Sequence, residues 1–258
     1  MTNRIAPLLR QLPVAGSLLL LVGMALPGSA CAERTFEGLQ TRIEQGYRNQ
    51  DLAGIESARA DLLGLASAPN RSPDDRSDAA YFAAYARFRE ALSVESDRPS
   101  ARAYLEDCIA ELREVVKGQP DHAEAHALLG SCLGLSTLHD TFATMTRGLE
   151  ARRQMGEARR LAPDNPWVVM QDGLADWATP RLFGGDRDLA LIKLRRAAEL
   201  FTTAMASGSR IPAWGAAEVY QQLGLRYREL GRSEAAQFAF DRAAELAAGR
   251  LQLASARR

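Results

Sequence analysis

Apolar residues recur along this chain at intervals of three and four positions, which is the spacing of one face of an α-helix. Alternation of Val or Ile with polar residues, as in strands, is nearly absent. The pattern predicts ten helices paired as five hairpins: 35–49 with 51–67, 75–95 with 99–117, 122–137 with 140–162, 165–177 with 186–206, and 213–230 with 233–249. The expected fold class is all-α, a solenoid of about five antiparallel helix pairs.

Prolines followed by Asn or Asp separate several of these helices. They occur as Ala68-Pro69-Asn70, Gln119-Pro120-Asp121 and Ala162-Pro163-Asp164. A proline cannot continue a helix, and Asn or Asp can cap the next one. No Gly/Ser-rich or charged linker divides the hairpins, so residues 33–249 are expected to form one solenoid. Residues 250–258 are expected to be a flexible tail.

The last hairpin carries the most specific motif. It consists of Tyr220, Leu223, Gly224 and Tyr227 in the first helix, followed by Ala236, Phe240 and Ala243 in the second. Gly224 and Ala236 are small at the place where two helices must cross closely. The order resembles the tetratricopeptide repeat, with Tyr in the position of its Trp. The resemblance is clearest over 217–249, moderate over 122–206 and weak before that. It implies a helical solenoid that binds partners.

The first 32 residues predict a secretory signal peptide. Arg4 and Arg10 give a positive start, an apolar stretch runs from 14 to 26, and Ala30-Cys31-Ala32 matches an A-x-A cleavage site. The chain is therefore expected to be exported and periplasmic. The alternatives are an uncleaved membrane anchor, for which the apolar stretch is short, and a lipoprotein anchored at Cys31. With cleavage favoured over an uncleaved anchor, the chain is expected to associate with a membrane only if Cys31 is lipidated. Cleavage after Ala32 is favoured because Gly28 stands where lipoproteins prefer Leu.

Charge argues against a nucleic-acid partner. Removing two Arg with the leader leaves 30 basic against 32 acidic residues, a net charge of −2, and no basic face is concentrated in the sequence. The sequence also has no H-E-x-x-H motif, no S-x-x-K motif and no phosphate-binding glycine loop. We therefore expect a protein that is not an enzyme and has no cofactor.

The two cysteines that remain after cleavage are a candidate disulfide. Cys108 and Cys132 each lie twelve residues from Pro120, on opposite sides of it. If Pro120 marks the corner between antiparallel helices, both cysteines lie roughly 18 Å from that corner, at about 1.5 Å per residue. An oxidising compartment then favours a bond between the second and third hairpins. The alternative is two buried thiols, since helix axes about 8–10 Å apart often separate the Cα atoms too far.

Histidines offer the best candidates for a metal site. His122 and His126 are four residues apart and could chelate a divalent ion from one helical face. However, His126 also occupies the position of the repeat's first aromatic residue, so a packed histidine explains it equally well. We predict no metal site.

An aromatic stripe is the best candidate for binding. Trp167, Met170, Leu174 and Trp177 recur along one face of the seventh helix. The resemblance places them on the concave surface, together with Gln221, Leu225 and Arg228 of the last hairpin. Large aromatic side chains in a groove are typical anchors for a peptide. Alternatively, Phe183 and Trp214 from inserted loops cover the stripe and make it core.

Two functions follow from these observations. The first is a periplasmic scaffold that binds an unknown cell-envelope protein or peptide in its groove, through Trp167 and Trp177 with Arg181 and Arg228 as polar partners. The second is a small-ligand-binding accessory protein of a transport system. In that case an apolar pocket lies between hairpins, and the inserted segment 179–186 forms its lid.

Overall fold

The computed structural model describes residues 35–138, 144–207 and 214–256. These segments contain no strand and ten α-helices: α1 Phe36–Asn49, α2 Leu52–Ala66, α3 Pro73–Ser93, α4 Arg98–Gly118, α5 Ala123–Ser136, α6 Thr144–Leu161, α7 Pro166–Ala178, α8 Arg187–Ala206, α9 Trp214–Glu229 and α10 Ser233–Ala256. A 3-10 turn, Arg181–Phe183, lies between α7 and α8. The predicted all-α fold is confirmed. Within these segments no helix is long and apolar enough to cross a bilayer.

Two helix ends differ from the prediction for local reasons. Helix α3 begins at Pro73 rather than at 75 because the Ser72 hydroxyl accepts a hydrogen bond from the Asp75 amide at 3.0 Å. Helix α10 continues to Ala256 instead of ending at 249, so the expected flexible tail is helical over 250–256. That segment has no proline and is rich in Leu and Ala, which favour a helix. The predicted signal peptide, with Cys31, lies outside the described residues.

The hairpins stack in a row. Each described helix packs against the next one in the chain, and the first helices of neighbouring hairpins also meet, as α1 with α3 and α5 with α7. Glycines permit close crossing within four of the pairs: Gly46, Gly130, Gly173 and Gly224. A Cβ atom on Gly224 would overlap the ring of Phe240, and one on Gly130 would lie 3.0 Å from the carbonyl oxygen of Ala151. The contact at Gly224 confirms the close-crossing role predicted for it, and Gly130 has the same role in the third hairpin.

A disulfide fastens the second hairpin to the third. Cys108 of α4 and Cys132 of α5 are bonded, with Cα atoms 6.6 Å apart, and both are fully buried. The predicted bond is thereby confirmed. Because α4 and α5 run antiparallel from the corner at Pro120, residues equally far from that corner come to the same level.

A buried ion network connects the two ends of the row. Arg89 of α3 forms ion pairs with Glu44 of α1 at 2.8 Å and with Glu218 of α9, and its side chain is only 2% exposed. Its guanidinium also lies 4.6 Å from the ring centre of Tyr47 and 5.0 Å from that of Tyr85. The first and last hairpins therefore meet, and the inner side of the curved row is closed rather than open.

Burial governs the ionisation of this network. It raises the pKa of the Glu218 carboxyl, and the attraction of Arg89 does not offset it, partly because the Glu44 carboxylate is also close. In the folded protein Glu218 therefore takes up a proton at a higher pH than in the unfolded chain. Its ionised form costs stability at neutral pH, and that cost disappears as the pH falls through the raised pKa.

Replacing Arg89 by Met should lower the free energy of unfolding by about 3–5 kcal/mol, because Glu44 and Glu218 would lose the cation that compensates their burial. Urea denaturation at pH 7 measures the change. Glu218→Gln is the matched control, since it leaves one balanced Arg89–Glu44 pair, and its free energy of unfolding should stay near that of the wild type. A loss in Glu218→Gln as large as that in Arg89→Met would contradict this account.

The pH dependence of stability tests the raised pKa of Glu218. The free energy of unfolding of the wild type should increase as the pH is lowered toward 5, and that of Glu218→Gln should increase less.

Replacing Cys108 and Cys132 by Ala should lower the free energy of unfolding by about 3 kcal/mol, because the bond restricts the unfolded chain across a sequence separation of 24 residues. Guanidinium denaturation with and without reductant provides the measurement. Reductant should shift the midpoint of the wild type and leave that of the double variant unchanged. Equal midpoints for the wild type and the double variant in the absence of reductant would show that the bond contributes nothing to stability.

Candidate functional site

The predicted groove wall is largely core. Trp167 is 3% exposed and Met170 is fully buried. The Trp167 ring packs edge to face against Tyr85 and Phe201, with centroids 6.0 Å apart in both cases. Leu174 is half-buried and packs against the same cluster. The prediction that Trp167 and Met170 are groove anchors is wrong, because the closed inner side of the row leaves them no open surface.

Trp177, one turn beyond this cluster, lies at the edge of the core. It is 7% exposed, and its indole Nε1 donates a hydrogen bond to Glu229 of α9 at 3.1 Å. The guanidinium groups of Arg187 and Arg226 lie 5.0 and 5.4 Å from its ring centre. Trp177 therefore joins the fourth and fifth hairpins through an aromatic ring flanked by cations.

The inserted loop after α7 has a fixed conformation. The amides of Phe183 and Gly185 both donate to the carbonyl of Pro180, at 2.8 and 3.2 Å. Gly184 has a φ of 90°, which favours glycine, and a Cβ atom on Gly185 would collide with the carbonyl oxygen of Thr179. The glycines are thus required for a turn that folds back onto the end of α7.

Asp186 ends this loop and caps α8. Its carboxylate accepts hydrogen bonds from the Asp188 and Leu189 amides at 2.9 and 3.1 Å. These two bonds, assisted by the charge of Arg181, lower the pKa of Asp186. The second and third amides of α8 are therefore already satisfied by the protein.

A pocket of about 500 Å³ lies between the loop and the end of α7. Its lining residues are Trp177, Thr179, Pro180, Arg181, Gly185 and Arg187. Aromatic and proline surface forms the apolar part, and two guanidinium groups supply the charge. Of the predicted site residues, this pocket brings together Trp177 and Arg181.

Phe183 points away from the stack. It is 62% exposed, and its neighbour Leu182 is 88% exposed. Arg152 of α6 donates a hydrogen bond at 3.1 Å to the carbonyl of Phe183, which holds the backbone rather than the ring. The alternative that Phe183 covers the tryptophan stripe is therefore wrong. Trp214 begins α9, and its side chain lies outside the described set.

The last hairpin contributes different residues from those predicted. Gln221 and Arg228 are exposed and Leu225 is half-buried, but none of them lines the pocket. The Arg228 guanidinium lies 5.7 Å from the ring centre of Phe240, on the side of α9 that faces α10. Arg226 takes the place beside Trp177 that was predicted for Arg228. A shift of two residues turns a helical side chain by about 200°, which explains the difference.

Each described histidine has a separate role in the protein. His122 Nδ1 accepts a hydrogen bond from the Ala125 amide at 3.3 Å and so caps α5. His126 is buried, with Nδ1 2.6 Å from Gln154 Oε1 and Nε2 2.9 Å from the Pro120 carbonyl. They do not converge on a common point, and within the described segments no group of three potential metal ligands occurs. His139 lies outside those segments.

Sequence reasoning missed three residues of the site: Arg187, Arg226 and Glu229. Arg187 could have been found, because it directly follows the Gly-Gly-Asp segment and so must lie beside the loop. Arg226 and Glu229 gave no such signal. Their contact with Trp177 depends on the packing of α9 against the fourth hairpin. The spacing of apolar residues within α9 does not indicate how that packing is oriented.

Stacked helical hairpins with a pocket at the end of one pair define an all-α, solenoid-like class of protein. The same fold occurs in the HusA haemophore from Porphyromonas gingivalis, with a TM-score of 0.60 and 23% sequence identity over 80% of this chain and 96% of that one. At this identity the likeness establishes the fold. No protein-family model matches the chain, and a comparison with curated proteins found no match.

Gly185→Ala should destabilise the protein by more than about 1 kcal/mol, because the added methyl group forces the loop away from the Thr179 carbonyl. Gly156→Ala on α6 is the control, since its Cβ atom meets only the end of Arg159 at 3.9 Å and alanine favours a helix. Thermal unfolding, with trypsin cleavage after Arg181 as a local probe, measures both. Equal resistance to trypsin in the wild type and Gly185→Ala would contradict the claim that Gly185 is required for the fixed conformation of the loop.

Proposed function

We propose that this chain is an exported, non-enzymatic binding protein that takes a small ligand with a flat apolar body at the Trp177 pocket. The pocket carries the proposal. Its volume of about 500 Å³ lies within the range of about 300–1,000 Å³ that is usual for small-molecule sites. An aromatic ring and a proline give it apolar walls, and the turn of residues 179–186 forms one side. The expected role as a scaffold with an open inner groove loses its main support, because Trp167 and Met170 are buried.

The fold supports the same proposal. A protein with this architecture is described as a haemophore, so stacked helical hairpins of this kind can serve as a binding protein. We extend this ligand class to our chain as a hypothesis and take porphyrins as the first compounds to test. Neither described histidine lines the pocket: His126 bonds within the protein through both ring nitrogens, and His122 caps α5. Recognition is therefore assigned to the ring system rather than to a bound metal.

Export and the tetratricopeptide relationship belong to the proposal as well. The leader-like sequence of residues 1–32 supports export, and the motif in 217–249 supports the repeat assignment. The buried disulfide fits an oxidising compartment. We propose the periplasm as the location, with lipidation at Cys31 as the alternative.

Protein binding remains a second candidate because of exposed apolar side chains near the loop. Leu182 and Phe183 are joined by Met145 and Leu149 on α6, which are 78% and 65% exposed. Met145 and Leu149 are four residues apart and share one helical face. Arg152, one turn further along α6, contacts the loop that carries Leu182 and Phe183. This surface suits a partner with apolar side chains.

Protoporphyrin IX should bind the mature protein with one site per chain, and it should quench tryptophan fluorescence. Trp177→Ala should weaken binding by about tenfold or more, because its ring forms the aromatic part of the pocket wall and positions Arg187. Phe238→Ala is the control, since this side chain on α10 is 69% exposed and lies outside the pocket. Isothermal calorimetry gives the affinity, and circular dichroism verifies the fold. Tight binding with equal affinity in Trp177→Ala would place the ligand elsewhere.

A further inference from the structure

We propose that the ligand carries carboxylates and that Arg181 and Arg187 bind them. This inference rests on the proposed function and adds the chemical class of the ligand. Both guanidinium groups line the pocket. In the part of the chain that the structure describes, neither forms an ion pair with an acidic side chain. The charge of Arg181 acts on the Asp186 carboxylate from a distance, but neither guanidinium is closed off by a salt bridge within the described segments. The pocket therefore holds two guanidinium groups that are free to bind an anion directly.

The acidic residues around the pocket already have partners. The Asp176 carboxylate is 2.6 Å from the Lys193 ammonium. Glu229 pairs with Arg226 at 2.6 Å and accepts the hydrogen bond of Trp177. Asp186 caps α8 with its carboxylate. Since Asp176 and Glu229 pair with other cations and Asp186 bonds to the α8 amides, none of the three carboxylates occupies the guanidinium groups of Arg181 and Arg187 at salt-bridge distance.

The Arg187 side chain is held in place before a ligand arrives, and so is the backbone that carries Arg181. Arg187 lies over the ring of Trp177, 5.0 Å from its centre. Arg181 begins the 3-10 turn, which is fixed by hydrogen bonds to the Pro180 carbonyl. Preorganised guanidinium groups lose less conformational freedom on binding, and their planar geometry matches a carboxylate with two parallel hydrogen bonds.

A carboxylate suits the site better than a phosphate. Phosphate sites on helical proteins commonly use free amides at a helix N-terminus. Here two of these amides, those of Asp188 and Leu189, already bond to Asp186, at 2.9 and 3.1 Å. The start of α8 therefore does not offer a phosphate the set of amides that such sites use, and the two arginine side chains are the main donors beside the pocket. The geometry thus points to a flat, apolar compound with one or more carboxylates at its edge, its ring against Pro180 and the accessible edge of Trp177 and its acid toward Arg181 and Arg187.

The test compares protoporphyrin IX with its dimethyl ester, which has the same ring and no negative charge. The double variant Arg181→Gln/Arg187→Gln should bind the diacid roughly tenfold to a hundredfold more weakly and should bind the ester like the wild type. Arg195→Gln is the control, because this exposed arginine lies on α8 outside the pocket. Increasing salt should weaken binding of the diacid and leave the ester unaffected.

The outcomes separate the two proposals. Equal affinity for acid and ester in the wild type, with no effect of the double variant, would overturn carboxylate recognition and leave the ligand pocket intact. Failure of both compounds to bind would overturn the pocket proposal and this inference together. If a double variant that folds normally also loses affinity for the ester, the arginines contribute to the apolar wall of the pocket rather than recognise the negative charge of the ligand. Competition by inorganic phosphate at millimolar concentration would favour a phosphate ligand instead.

Discussion

Arg89 brings a positive charge into the interior, and the surrounding architecture compensates it. A buried guanidinium is unfavourable unless acidic groups and hydrogen bonds surround it. Glu44 comes from the first helix and Glu218 from the ninth, while Arg89 itself lies on the third. All three helices must converge for the network to form. A row of hairpins with a different curvature would leave one of these charges without its partner.

Because the first and last hairpins are joined through Arg89, part of the inner surface of the row is buried instead of exposed to solvent. The side of α7 that carries Trp167 and Met170 meets Tyr85 and Phe201 and becomes core. The pocket instead lies where the inserted loop departs from α7. There the fourth hairpin is lengthened by a turn that the neighbouring pairs do not need for stacking. Insertions of this kind carry recognition without disturbing the core that positions them.

Local rules were sufficient for much of the fold. The helical spacing, the proline–Asx boundaries and the small residues at close crossings act over a few positions, so they predicted the hairpins and the contact of Gly224 with Phe240. The disulfide also followed from distances along the chain, because both cysteines lie equally far from one corner. For the proposed pocket, the same reasoning had singled out two of the lining residues, Trp177 and Arg181, whereas Arg228 lies on the side of α9 that faces α10.

The sequence by itself determined the helices, their pairing and the bond between Cys108 and Cys132, since each depends on neighbouring residues or on a single corner. Only the tertiary structure decided which apolar faces are open. Arg89 and Glu218 are 129 positions apart, and small changes in the angle between successive hairpins accumulate over that distance. Those angles depend on side-chain packing that no periodic pattern records. The burial of Trp167 and Met170 and the contact of Arg226 with Trp177 are consequences of that packing between hairpins.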